Sequence, residues 1–220
     1  MKIRTKSQLQ DAIQNDKSWR MKELINTKGL VSNARGAHEH TLIRAGILLL
    51  YSHWEGFIKK STELFFVYLN NSGLKYQDLN KNLISLGICD QFENDFPHKQ
   101  FKSYLITTNF IIDGIKDKKF NLNITKHIDT KSNLNSEVLI DLTSKLGIDC
   151  TNFLNERFHI DSRLLKFRNS IAHGERTDNN PDLLITKEEF FELFDKIKDL
   201  ISMFENMLLN HSETNAYKAS

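Results

Sequence analysis

The chain has 220 residues, enough to bury a substantial core as one domain. Its formal charge of +2, from 30 basic and 28 acidic side chains, argues against a uniformly basic nucleic-acid-coating protein, so any anion site has to be local. Two prolines and nine glycines leave few interruptions to helix, and with abundant Leu, Ile, Lys, Glu and Phe they point to an all-α fold.

Cys89 and Cys150 are too far apart for a Cys-x-x-Cys pair. The polar start from Met1 to Gln10 lacks the apolar stretch of a secretory signal. The longest apolar run, Ala45 to Tyr51, falls far short of the ~20 residues of a membrane helix. A cytoplasmic protein with no membrane contact is expected.

In chain order, Leu9, Ile13, Met21, Leu24 and Ile25 predict a first amphipathic helix over 7–26, within an N-terminal helical extension 1–34, with Gly29 and Ser32-Asn33 as punctuation. From Arg35 to Asn70 no proline intervenes, and the segment is apolar on nearly every side around Ala45 to Tyr51, which predicts a central helix with several neighbours. Arg44, Leu48, Tyr51 and Glu55 line one stripe of it. The run Asn70 to Gly73 ends it, and a short helix is expected around Leu79 to Leu86. A further helix over Lys99 to Lys116 takes Phe101, Leu105, Phe110 and Ile112 as core residues, and 117–135, rich in Lys, Asn, Asp and Thr, reads as a loop insertion.

A short helix from Ser136 to Lys145, capped by Ser136, ends at Gly147. The next spans Asp161 to His173, with Leu164, Phe167 and Ile171 inward and Gly174 as its stop. After a polar loop to Pro181, Thr186 and Glu189 form a capping box. It opens a long C-terminal helix in which Phe190, Leu193, Phe194, Ile197, Leu200, Ile201, Phe204 and Leu208 recur every three or four residues. The tail 212–220 is expected to fray. The sum is a bundle of about five or six helices, with its main domain over 35–211.

The helix ending at His173 carries the most chemistry. At ~100° per residue, with Arg168 at zero, Ala172 falls at about 40°, Asn169 at about 100° and His173 at about 140°, opposite the Leu164, Phe167 and Ile171 face. An arginine, an amide and an imidazole thus share an exposed arc around a small alanine. Guanidinium matches phosphate geometry and imidazole exchanges protons near neutral pH, a combination suited to cleaving RNA through its own 2′-hydroxyl. One chain supplies one imidazole, so two copies facing each other would supply both acid and base. Arg163, Lys166 and Arg176 flank the arc as candidate RNA contacts. His38-Glu39-His40 is not read as a metal site, because alternate residues on a helix diverge by about 200°, and no metal or cofactor is expected.

The stretch Phe167 to Gly174 resembles the Arg-x4-to-6-His signature of HEPN domains, in the Arg-Asn form of the ribonucleases. Ile47 to Lys59, Ser132 to Glu137 and Leu146 to Asp149 look similar to a compact HEPN branch of bacterial defence and toxin loci. The resemblance implies a helical bundle, a homodimer with the motif helices at its interface, and metal-independent endoribonuclease activity, with an antitoxin or other regulatory partner. Arg168 and His173 carry over as the catalytic pair and Asn169 as the neighbour that orients them. Glu55 and Tyr51 of the central helix are candidates to support the same cleft, although Glu55 could equally pair with Lys59 one turn on, and His53 reads as a core histidine. A non-catalytic HEPN module, binding a nucleotide or a partner through the same arc, stays open as the alternative.

Overall fold

The computed structural model describes residues 2–92, 101–115, 117–130, 132–176 and 184–219, apart from the side chains of 91, 92 and 103. Thr5 opens the first helix with a capping box, its hydroxyl accepting from the Gln8 amide while the Gln8 side chain accepts from the Thr5 backbone. Helix α1 then runs Lys6–Asn33, longer than predicted. Gly29 does not break it, because one interior glycine costs only about 1 kcal/mol and the buried stripe of Leu24, Thr27 and Val31 continues across it. The chain turns at Gly36 instead, whose φ of +56° is left-handed.

Helix α2, Ala37–Asn71, is the spine. Its 35 residues span about 52 Å at 1.5 Å per residue. Ile43, Ile47, Leu50, Trp54, Phe57, Ile58, Phe65 and Phe66 are all buried, so several partners must cover it. Two of them are α1 and the C-terminal helix, which also touch each other. That C-terminal helix opens with the predicted Thr186–Glu189 capping box, and Gly46 admits the Phe190 ring from its first turn. A Cβ on Gly46 would lie 2.8 Å from Phe190 Cζ, well inside van der Waals contact.

Between these long helices lie α3 (Lys81–Phe92), α4 (Phe101–Asn109), α5 (Ile124–His127), α6 (Ser136–Leu146), α7 (Thr151–Leu154) and α8 (Lys166–Ala172), with α9 (Lys187–Glu213) closing the bundle. The fold is all-α, as the sequence predicts. Lys99, Lys116 and the part of the loop from 177 through Pro181 lie outside the described residues.

Four local expectations are corrected. The predicted apolar stripe over 101–112 is mostly not core: Phe101, Leu105 and Ile112 are 78%, 47% and 57% exposed, Phe110 packs partly buried against the core, and among the described residues of 101–115 only Thr107 and Ile115 are buried. The polar-looking segment 117–135 sends Phe120, Leu122, Ile128 and Leu134 inward instead. Asn70 fastens it to α2, its Nδ2 donating to the Leu122 carbonyl (3.0 Å) and its Oδ1 accepting from the Leu122 amide (2.9 Å).

The cap of α6 is Asn135, which accepts from the Val138 amide. Ser136 donates through both its amide and its hydroxyl to Asp161. The tail does not fray after His211. Tyr217 is 2% exposed, its hydroxyl lies 3.1 Å from that of Tyr68, and the Asn80 amide donates to its carbonyl. An aromatic anchor with a satisfied hydroxyl outweighs the polar composition around it.

Replacing Tyr217 by alanine is expected to cost about 3 kcal/mol, the usual scale for emptying a buried aromatic site, read as a lower urea midpoint. His211 gives a pH signature. Burial pushes its pKa below the usual 6.5, opposed by a hydrogen bond to the Leu146 backbone, so below about pH 6.5 the unfolded chain binds a proton that the folded chain refuses. Stability should therefore be flat with respect to this group above that pH and fall as pH drops. In His211→Phe, the loss of urea midpoint between about pH 6.5 and 5 should be shallower than in the wild type.

Candidate active site

The helix expected from Asp161 to His173 is built from two geometries. Phe158–Leu165 is π-helical and Lys166–Ala172 is α-helical, so the arc from Arg168 to His173 lies on regular α-helix and its end. Leu164 and Phe167 are buried and Ile171 is partly so, as the spacing predicts. Asp161 ties the π-helical segment to the start of α6 through Ser136.

His173 ends α8, its amide donating to the Asn169 carbonyl at 2.9 Å. Gly174 follows with φ +73°, which returns the Glu175 amide to the Ser170 carbonyl (2.9 Å) in a left-handed helix stop. Arg44 of α2 donates to the Glu175 carbonyl at 3.0 Å, so the spine fixes the turn behind the histidine. The imidazole is exposed, with no hydrogen-bond or ion-pair partner among the described residues.

Arg168 is clamped. Its Nη1 donates to Asn169 Oδ1 (2.7 Å) and its Nη2 to the Ser132 carbonyl (2.6 Å), while its Cζ lies 4.1 Å from the centre of the Tyr51 ring, a cation–π contact. Tyr51 is itself fixed, its hydroxyl accepting from the buried Leu134 amide at 2.8 Å. Burial, with Glu55 adding to it and the Leu134 bond and Arg168 opposing it, pushes the Tyr51 phenol up to about 12. The group is therefore neutral at physiological pH and serves as a platform for the guanidinium. Glu55 accepts a hydrogen bond from the Thr130 hydroxyl, and no ion pair with Lys59 forms among the described residues.

The structure thus brings Arg168 and Asn169 together with Tyr51 and Glu55, and joins all four to Thr130, Ser132 and Leu134 of the preceding loop. Ser132 and Thr130 escaped assignment from sequence. Ser132 sits at φ +52°, a backbone state that no pattern of residue types announces, although it opens one of the stretches that carry the resemblance. The flanking basic residues diverge. Lys166 is exposed on the arc side and Arg176 is exposed beyond the turn. Arg163 pairs with Glu189 at 3.2 Å and stacks on Phe167, 5.2 Å from its centre, which directs it toward the capping box of α9. His53 is buried on the α1 side against Trp19.

The all-α bundle is consistent with the class of HEPN domains. A family model described as RiboL-PSP-HEPN matches residues 15–210, and the chain belongs to that family. No curated protein and no solved structure matches it. No helix among the described residues is long and apolar enough to cross a membrane.

Tyr51→Phe keeps the ring beneath Arg168 but leaves the buried Leu134 amide without an acceptor. A loss of about 1–3 kcal/mol is expected, with faster hydrogen exchange at Leu134 and its loop. Unchanged exchange there would show that Tyr51 does not hold the clamp.

Proposed function

We propose that the protein is an endoribonuclease that cleaves RNA by attack of a ribose 2′-hydroxyl on the adjacent phosphodiester, at a site completed by a second copy of the chain. His173 of one copy takes the 2′-hydroxyl proton as the new O–P bond forms. Arg168, oriented by Asn169, meets the negative charge that builds on the phosphorane. As the bond from phosphorus to the 5′-oxygen breaks, the imidazole of the other copy donates its proton to the leaving oxygen. The products are a 2′,3′-cyclic phosphate and a 5′-hydroxyl, and the scheme needs no metal.

The observation that carries this reading is the Arg168 clamp. A guanidinium held by two acceptors above an aromatic ring loses little further freedom on meeting a phosphate, and it keeps N–H donors beyond the two engaged. The exposed, unpartnered imidazole of His173 is consistent with a group whose working partner comes from another chain. Membership of a HEPN family supports the same direction. In this reading the protein acts in the cytoplasm as a toxin or anti-phage defence effector, a homodimer held in check by an antitoxin or another regulator.

A second reading has its own support. Two of the Arg168 bonds end on protein acceptors, as they would in a structural clamp, and a non-catalytic module that binds a nucleotide or a partner would retain them.

Purified protein incubated with RNA in EDTA separates the two. Wild type should yield cyclic-phosphate and 5′-hydroxyl ends, and His173→Ala and Arg168→Ala should each lose about 100-fold or more in rate while still sedimenting as dimers. Equal cleavage by all three, or none by the wild type, favours the non-catalytic module.

A further inference from the structure

A cleft of about 440 Å³ opens beside the clamp, lined by Arg20 of α1, by Ser52, Glu55, Gly56, Lys59, Lys60 and Glu63 of α2, and by Ser132. The α2 residues follow one another at three- and four-residue steps, so the cleft tracks one stripe of the spine. Ser132 belongs to both places, since its carbonyl accepts from Arg168 while the residue forms the rim of the cleft. From Tyr51, beneath Arg168, to Lys59 is about 12 Å along the helix axis, the reach of a short stretch of single strand.

The charges in this cleft are unequally committed. Lys60 pairs with Glu63 at 3.0 Å. Arg20 is 9% exposed, its Nε and Nη2 donate to Asp16 (2.7 and 3.3 Å), and its Cζ lies 4.6 Å from the Trp19 ring centre. The Nη1 of Arg20 has no acceptor among the described residues and lies against the bare backbone of Gly56, 2.5 Å from where a Cβ would stand. Lys59, one turn beyond Glu55 on α2, likewise has no ion-pair partner among the described residues. A largely buried arginine with one free guanidinium nitrogen and an uncommitted ammonium therefore border one cleft. Phosphate oxygens match both donors. At the Arg168 end, the Glu55 carboxylate would repel a phosphate but accept from a ribose hydroxyl or a base N–H.

We propose that this cleft holds the nucleotide next to the scissile bond of a single-stranded RNA, with Lys59 and Arg20 Nη1 on its phosphate and Glu55 facing its nucleoside. The inference rests on RNA being the ligand of the adjacent arc. It adds a subsite that fixes the strand's direction along α2, and it explains why Gly56 lacks a side chain: any Cβ there would drive Arg20 away.

Fluorescence anisotropy of the full chain with a short 2′-O-methylated single-stranded oligonucleotide, across a range of salt, tests it. That probe cannot be cut, so binding is read independently of catalysis. Lys59→Ala should weaken binding about 10-fold and flatten the log–log salt slope by about 0.7, the value for neutralising one fewer phosphate on a single strand. Lys59→Arg should restore most of both, and Lys198→Ala, on the exposed side of α9, should change neither. Unchanged affinity and slope in Lys59→Ala overturn the subsite while leaving the cleavage assay standing. Competition by adenosine monophosphate as strong as by the oligonucleotide overturns the strand in favour of a free nucleotide. No binding by the wild type overturns the subsite together with RNA as the ligand.

Discussion

A helix of 35 residues that buries a dense apolar set from Ile43 to Leu69 cannot stand alone in water, and the requirement to cover α2 organises the rest of the molecule. The long amphipathic helices α1 and α9 cover part of it. The remainder falls to α8, α5, the π-helical segment and the irregular chain between α4 and α6, which touch α2 in turn. A buried spine of this length has a chemical consequence. Tyr51, at its margin, has its rotamer and ionisation state set by neighbours from several parts of the chain.

The clamp on Arg168 shows how this covering produces a site. Three segments far apart in sequence meet at one guanidinium: Tyr51 from the spine, Ser132 from the loop and Asn169 from its own helix. Each is separately anchored, Tyr51 by Leu134 and the loop by Thr130, whose hydroxyl is bonded to Glu55. Because the Tyr51–Leu134 bond at the base of the clamp is buried, the orientation of the arginine depends in part on contacts that keep the bundle folded. Loosening the loop would then affect geometry at the arc before it affected overall stability.

Helix periodicity made much of this legible in sequence. The Thr186–Glu189 capping box, the spine and the Leu164–Phe167–Ile171 face follow from local pattern and short-range hydrogen bonding, and they recur in the structure at the expected residues. Failures came where tertiary competition decides. The apolar spacing of the α4 stripe reads as a core face, yet most of it stays exposed while Phe120, Leu122, Ile128 and Leu134, scattered through a polar segment held by the paired bonds of Asn70, take the interior. At the site, residue types announced Arg168, Asn169 and His173. The backbone carbonyl of Ser132 has no residue-type signature, and its role is set by a positive φ that only the folded chain reveals.

The π-helical stretch Phe158–Leu165 has one more consequence. Each i→i+5 turn carries an extra residue compared with an α turn, so this stretch sets the phase of everything after it. Arg163, inside it, turns toward Glu189 of α9, while Arg168, five residues later, turns toward Ser132. Removing or adding one residue there would swing the following helix by about 100° and turn its buried stripe out of the core without touching any member of the arc. The stretch is a rotational adjuster, through which insertions and deletions could re-aim an otherwise identical set of side chains.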